Sequence, residues 1–190
     1  MSFLDQVNEF FGIFVEYLAP ILFYSIKGFP LIVLVLLAGG LVFTFYFKFI
    51  NIRGFSHSID IIKGKYDNPN DTGQISHFQA LTSALSATIG LGNIAGVAVA
   101  VSLGGPGAVF WMVFIAFFSM SAKFVSCTLG QLYRQVNDDG SVSGGPMYYL
   151  DKGLKEKGFG TLGKILGGMY AIFIIGGAFG GGNMFQANQS

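Results

Sequence analysis

Charge is scarce in this chain: 11% of its 190 residues are Asp, Glu, Lys or Arg, where a soluble domain carries about a quarter. From Thr72 through Ala122 there are 51 residues without one of them. Cysteine is nearly absent. Cys127 stands alone, which excludes an internal disulfide and a cysteine-built metal cluster. Basic tracts are missing, and a net charge of +1 with scattered Lys and Arg gives no reason to expect nucleic acid as a partner. The amino terminus lacks a basic n-region and carries Asp5, Glu9 and Glu16, which argues against a cleaved signal peptide. No nucleophile–base pair is visible, and both histidines, His57 and His77, lie near or within loop sequence. No enzyme is expected.

What remains is apolar: 52% hydrophobic, 16% aromatic, with 21 Phe and 28 Gly, and a mean hydropathy of +0.60. That balance predicts an all-α integral membrane protein embedded in a lipid bilayer. Residues 1–28 form an interfacial segment. Phe3, Leu4, Val7, Phe10, Phe11, Phe14, Val15 and Leu18 share one helical face, and Pro20 is expected to interrupt the helix. The transmembrane region is 29–190. Its spans are expected at about 29–47, 78–103, 108–129 and 165–190, the last still incomplete where the chain stops. A polar loop is expected from Lys48 to about His77, with Asn68, Pro69, Asn70, Asp71 and Gly73 as turn residues. Gly104, Gly105, Pro106 and Gly107 read as a tight turn.

Nine of the eleven basic residues lie in two stretches, 48–77 and 130–164. The positive-inside rule makes both cytoplasmic and puts the amino terminus outside, in a multi-pass protein of the cell (inner) membrane. Lys123 is the exception, close enough to the cytoplasmic end to snorkel.

The second span contains Ser86-Ala-Thr-Ile-Gly-Leu-Gly-Asn-Ile-Ala-Gly96. Each glycine in a helix interior costs about 1 kcal/mol, and a buried unpartnered amide or hydroxyl about 1–3. Non-helical backbone at membrane depth survives only where it lines an enclosed cavity. The helix is therefore expected to break near 89–93. The half ending near Thr88 frees carbonyls for a small hard cation, and the half starting near Asn93 offers N–H groups to a carboxylate. Two plainer readings stay open. Gly92 and Gly96 form a GxxxG pair fit for close helix packing, and Ser86 and Thr88 could bond carbonyls one turn back. A dinucleotide fingerprint matches Gly90-Leu-Gly92-Asn-Ile-Ala95 in letters, but no strand precedes it and no acid follows before Asp138.

Four separated stretches, SALSATIGLGNIAGVA, GGPGAVFWM, SGGPMYYLDKGL and GGGNMFQAN, together resemble the alanine/glycine:cation symporter family. The resemblance covers about residues 74–190. It implies the N-terminal part of a leucine-transporter-type inverted-repeat fold, with a discontinuous first core helix at 78–103. It further implies Na⁺-coupled symport of a small neutral amino acid, alanine or glycine, by alternating access. By position, Ser86, Thr88, Ile89 and Asn93 would hold Na⁺. Thr88, Gly90, Gly92, Asn93, Asn183 and Gln186 would surround the substrate. Asn183, Gln186 and Ser190 would share one α-helical face. The chain departs from the family pattern at Leu91, where a Thr is common, and at Ser126, where a Glu is common. Such a fold needs about ten core helices, so the chain is expected to be a fragment, inactive without the remaining helices. The competing reading is a channel or membrane scaffold subunit whose glycines pack helices.

Overall fold

The computed structural model describes residues 3–26, 28–68, 73, 75–184 and 187. Helix α1 spans Phe3–Leu22 and carries Pro20 inside it. The expected interruption at Pro20 does not occur. The proline sits in the last turn, where its missing N–H costs one bond and little helix remains to disrupt. Strands β1 (Ser25–Ile26) and β2 (Phe29–Pro30) then pair antiparallel, so Phe29 and Pro30 fall outside the first expected span. Helix α2 is Leu31–Tyr46, with Pro30 as its N-cap. Its length is about 24 Å at 1.5 Å per residue, a few ångströms short of a hydrocarbon core.

The exit from α2 is tight. Lys48 and Phe49 both adopt left-handed backbone, with φ of 51° and 57°, and the Phe49 N–H donates to the Thr44 carbonyl at 2.8 Å. Left-handed non-glycine residues cost about 1–2 kcal/mol each. The turn delivers the short helix α3 (Ile50–Arg53) to its neighbour, where the Asn51 amide donates to the Phe117 carbonyl at 3.2 Å. Helix α4 (Phe55–Ile62) follows. The stretch 48–77 is thus partly helical rather than loop. Phe55, Ile59 and Ile62 recur at helical spacing among polar residues, which favours an amphipathic surface helix. Of the expected turn residues, Pro69, Asn70 and Asp71 lie outside the described residues.

Helix α5 runs His77–Thr88 and α6 runs Leu91–Leu132. Inside α6 only Gly105 departs from helical backbone (φ 59°, ψ −155°), where two helical segments meet at a kink. The expected turn at 104–107 is therefore narrowed to one residue. Left-handed φ demands glycine there, and Pro106 then starts the next segment without needing an N–H partner. Between them, α6 and the stretch 160–180 supply the helices long and apolar enough to cross a membrane.

The segment of α6 after Gly105 packs along α2. Gly40 lies against the Phe118 backbone, Thr44 against Ser121, and the Phe47 ring against Phe124 at 5.7 Å between centroids. The partners ascend together, so the two helices run parallel and end on the same side. Thr44 and Ser121 carry the fully buried side chains among the described residues, and no described apolar side chain is buried in a core. The apolar faces of α2, α6 and α8 turn outward.

Beyond α6, strands β3 (Gln135–Val136) and β4 (Val142–Ser143) form a second antiparallel pair. In its turn, Asp139 accepts from the Ser141 hydroxyl and amide at 2.6 and 2.9 Å, and these bonds hold its carboxyl below the usual range. Helix α7 (Pro146–Glu156) begins with proline, whose missing N–H is an orphan at that position anyway. It packs on α8 (Gly160–Gly177), which starts before the expected 165. The close approach explains the early start: a Cβ on Gly163 would lie 2.8 Å from the Leu150 carbonyl oxygen, and one on Gly167 2.9 Å from that of Met147. Two side-chain bonds join α7 to α6. Tyr133 Oη donates to Glu156 Oε2 at 2.8 Å, and the Ser126 and Tyr149 hydroxyls lie 3.4 Å apart. At the position where the resembled family commonly has Glu, this chain thus meets a tyrosine. Helix α8 continues into a π-helical turn, Ala178–Met184.

Replacing Gly163 by Ala should force α7 off α8 and lower stability by about 1–3 kcal/mol. Gly168→Ala, with no atom within 4 Å of the added Cβ, should be close to neutral. Thermal unfolding of both variants in detergent measures the difference.

Candidate functional site

The start of α5 is set by its cap. Ser76 Oγ accepts from the Gln79 N–H at 3.3 Å and Gln79 Oε1 accepts from the Ser76 N–H at 2.9 Å, a reciprocal capping box. His77 adds a contact from its Nδ1 to the Asp67 carboxylate. Twelve residues later the helix stops. Ile89 is extended (φ −77°, ψ 110°) and so is Gly90 (φ −154°, ψ 175°), after which α6 begins at Leu91. Gly90 is in a region open to any residue. What glycine contributes here is the absence of a side chain beside the freed peptide groups, not a special backbone angle.

Around the break, the Ile89 N–H donates to the Leu85 carbonyl at 3.2 Å and the Asn93 N–H to the Gly90 carbonyl at 3.0 Å. The Thr88 carbonyl accepts from Asn93 Nδ2. Among the described residues no donor reaches the carbonyls of Ser86, Ala87 and Ile89, and no acceptor reaches the N–H groups of Gly90, Leu91 and Gly92. A helix end left this way needs partners from somewhere. Three carbonyl oxygens sit on one side of the break and three N–H donors on the other. The donor set on the carbonyl side is oxygen alone, which fits a hard cation rather than a soft metal. The helix dipoles agree in sign: α5 turns its negative end to the break and α6 its positive end.

Of the residues expected at the site, Ser86, Thr88, Ile89, Gly90, Gly92 and Asn93 lie within this one stretch, and all are exposed except half-buried Gly90. The Thr88 hydroxyl donates to the Ala84 carbonyl at 2.7 Å, as the helix-bonding reading anticipates. Its oxygen keeps its acceptor lone pairs. Asn93 was expected to face a ligand, but its amide nitrogen is tied across the break to Thr88. Its carbonyl oxygen, Oδ1, is the ligand it has left to offer. No described atom lies within 4 Å of a Cβ built on Gly92 or Gly96, so among the described residues the GxxxG pair packs nothing.

Asn183 lies in the π-helical turn, which packs mainly on α8, and Gln186 and Ser190 lie outside the described residues. From Ala178 to Met184 the bonding is π-helical, which adds about one residue per turn relative to an α-helix. Two features escaped the sequence reading. Ser76 and Gln79 were legible as S-x-x-Q. The Asn93 clamp had no sequence signal beyond its distance of five residues from Thr88.

The sodium:alanine symporter family matches residues 13–190. The sodium/alanine symporter AgcS of Methanococcus maripaludis is 48% identical over 160 residues, covering 84% of this chain and 35% of that protein. The amino-acid carrier protein AlsT of Bacillus subtilis is 41% identical over 132 residues, covering 70% and 28%. The uncharacterized transporter YaaJ of Escherichia coli is 38% identical over 143 residues, covering 74% and 28%. The chain thus spans about a third of the length of the curated relatives it matches.

If Asn93 clamps the break, Asn93→Asp should destabilise the protein more than Asn93→Ala. The carboxylate loses the donor and also faces the Thr88 carbonyl. A pure ligand role would rank them the other way in Na⁺, since a carboxylate binds the cation better than a methyl group. Melting temperatures of both variants in NaCl and in KCl separate the two roles.

Proposed function

The chain belongs to the sodium:alanine symporter family, and from that premise we propose that it is part of a Na⁺-coupled carrier of small neutral amino acids, alanine or glycine, working by alternating access. The family and its relatives are transporters, not enzymes; AgcS is named a sodium/alanine symporter and AlsT an amino-acid carrier. The observation that carries the finer reading is the break at Ile89 and Gly90. It frees six peptide groups inside an uncharged apolar stretch.

In this reading Na⁺ sits at the α5 end, on the carbonyl oxygens of Ser86 and Ile89, with the Thr88 hydroxyl and Asn93 Oδ1 completing the set. The amino acid's carboxylate lies at the α6 end, against the N–H groups near Gly90 and Gly92, with Thr88 and Asn93 between the two ligands. Asn183 and Gln186 approach the substrate from the side. Crowding by backbone favours a substrate with a hydrogen or a methyl as its side chain. A titratable group would be expected at this depth if protons were the driving ion, and the stretch from Phe78 to Ala122 holds none. The fold is of the leucine-transporter type, and transport requires the helices that the longer relatives carry beyond this length. The two basic loops face the cytoplasm and the amino terminus lies outside.

Radiolabelled alanine uptake by the intact carrier in proteoliposomes tests this. Replacing external Na⁺ by K⁺ should cut uptake at least tenfold, and saturable kinetics should separate a carrier from a channel. Flux linear in alanine concentration and indifferent to Na⁺ would overturn it.

A further inference from the structure

Resting on the alternating-access reading, we propose that α2 and the segment of α6 after Gly105 form one rigid body, so that the peripheral helix α2 travels with α6 during transport instead of sliding along it. Four levels of contact lock them. At Gly40 an added Cβ would lie 3.2 Å from both the carbonyl carbon and oxygen of Phe118, so that any larger residue must push the two backbones apart. One turn on, the Thr44 hydroxyl donates to Ser121 Oγ at 3.0 Å and lies 3.3 Å from the Phe118 carbonyl oxygen. Both residues have no exposed surface. The Phe47 and Phe124 rings meet edge to face. Beyond the left-handed turn at Lys48 and Phe49, Asn51 returns to donate to the Phe117 carbonyl at 3.2 Å.

A slide by one helical turn would bring Leu36 or Thr44 to the place against Phe118 now held by Gly40, where the added bulk would push the helices apart. It would also leave the Thr44 and Ser121 hydroxyls without partners in an apolar setting. The packed state has one register, and small adjustments cannot move it gradually to another. Rotation of α6 must then carry α2 and α3 along, and with them the start of the 48–77 stretch that leads into α5.

The test uses the intact carrier with Cys127→Ser, then Thr44→Cys and Ser121→Cys together. Their thiols are placed to be bridged by mercuric ion or oxidised to a disulfide. Bridged and reduced forms should take up alanine at rates within about twofold of each other. A tenfold or larger loss on bridging, reversed by reductant, would overturn the proposal. Should the double variant fail to fold, spin labels at the exposed positions Leu36 and Met120 replace it, with Leu36 and Ile172 as a second pair. The 36–120 distance distribution should be the same in Na⁺ with alanine and in K⁺; a shift in it defeats the proposal. Failure of the unmodified carrier to show Na⁺-dependent uptake would instead defeat the transport reading, and this inference with it.

Discussion

A peptide group freed from its helix in hydrocarbon must find another partner, and this one constraint organises the chain. Each unmet N–H or carbonyl costs several kcal/mol in lipid, so a break can persist only where something else supplies the bonds. At Ile89 and Gly90 the protein supplies part of that need itself. Asn93 reaches back to the Thr88 carbonyl, and its own N–H closes on Gly90. Among the described residues the Ser86, Ala87 and Ile89 carbonyls remain open, as do the N–H groups of Gly90, Leu91 and Gly92. The internal clamp makes the interruption a defined shape, and the open groups make it a shape with chemistry to offer.

The rest of the fold holds that shape through close contacts that avoid charged side chains. Two helix pairs use glycine to bring backbones together: Gly40 against Phe118, and Gly163 and Gly167 against α7. With no hydrophobic drive between helices in lipid, packing and hydroxyl bonds supply the association. Thr44 with Ser121 is the case in hand. A buried hydroxyl pair resists misregistration more than it adds net stability, since a shifted helix strands both groups while a correct one gains only about 1 kcal/mol. The bond between Tyr133 and Glu156 does the equivalent at the membrane edge, where the carboxylate's acceptance holds the phenol above its usual pKa.

What could be read in the sequence follows from the same physics. The break was legible because glycine, threonine and asparagine inside a long uncharged apolar run each carry a cost that must be recovered. The helical spans were legible from long uncharged runs. The ends of elements were not: Pro20 stays helical because one lost bond in a last turn is cheap, and Phe29 and Pro30 pair with Ser25 and Ile26 instead of joining α2. Helices α3 and α4 were missed because polarity was weighed above the spacing of Phe55, Ile59 and Ile62. The π-helical turn Ala178–Met184 could not be foreseen from composition.

The absence of charged side chains at the break also bears on how two solutes could be coupled there. In the proposed reading, carbonyls and helix dipoles stabilise a cation only partly, so Na⁺ alone would leave net positive charge in an apolar stretch, and the carboxylate end of a zwitterionic amino acid would set a local negative charge beside it. Bound together about 4 Å apart, at an effective dielectric near 20, the two attract by about 4 kcal/mol. That is a factor of roughly a thousand in mutual affinity, above the ordinary range of about 1–3 kcal/mol for coupling free energies. An acidic side chain in the same place would neutralise the ion without help and remove the dependence of one ligand on the other. In the proposed carrier, a site made of peptide groups would make the ion and the amino acid's carboxylate each other's counter-charge, one source of the coupling free energy that symport needs.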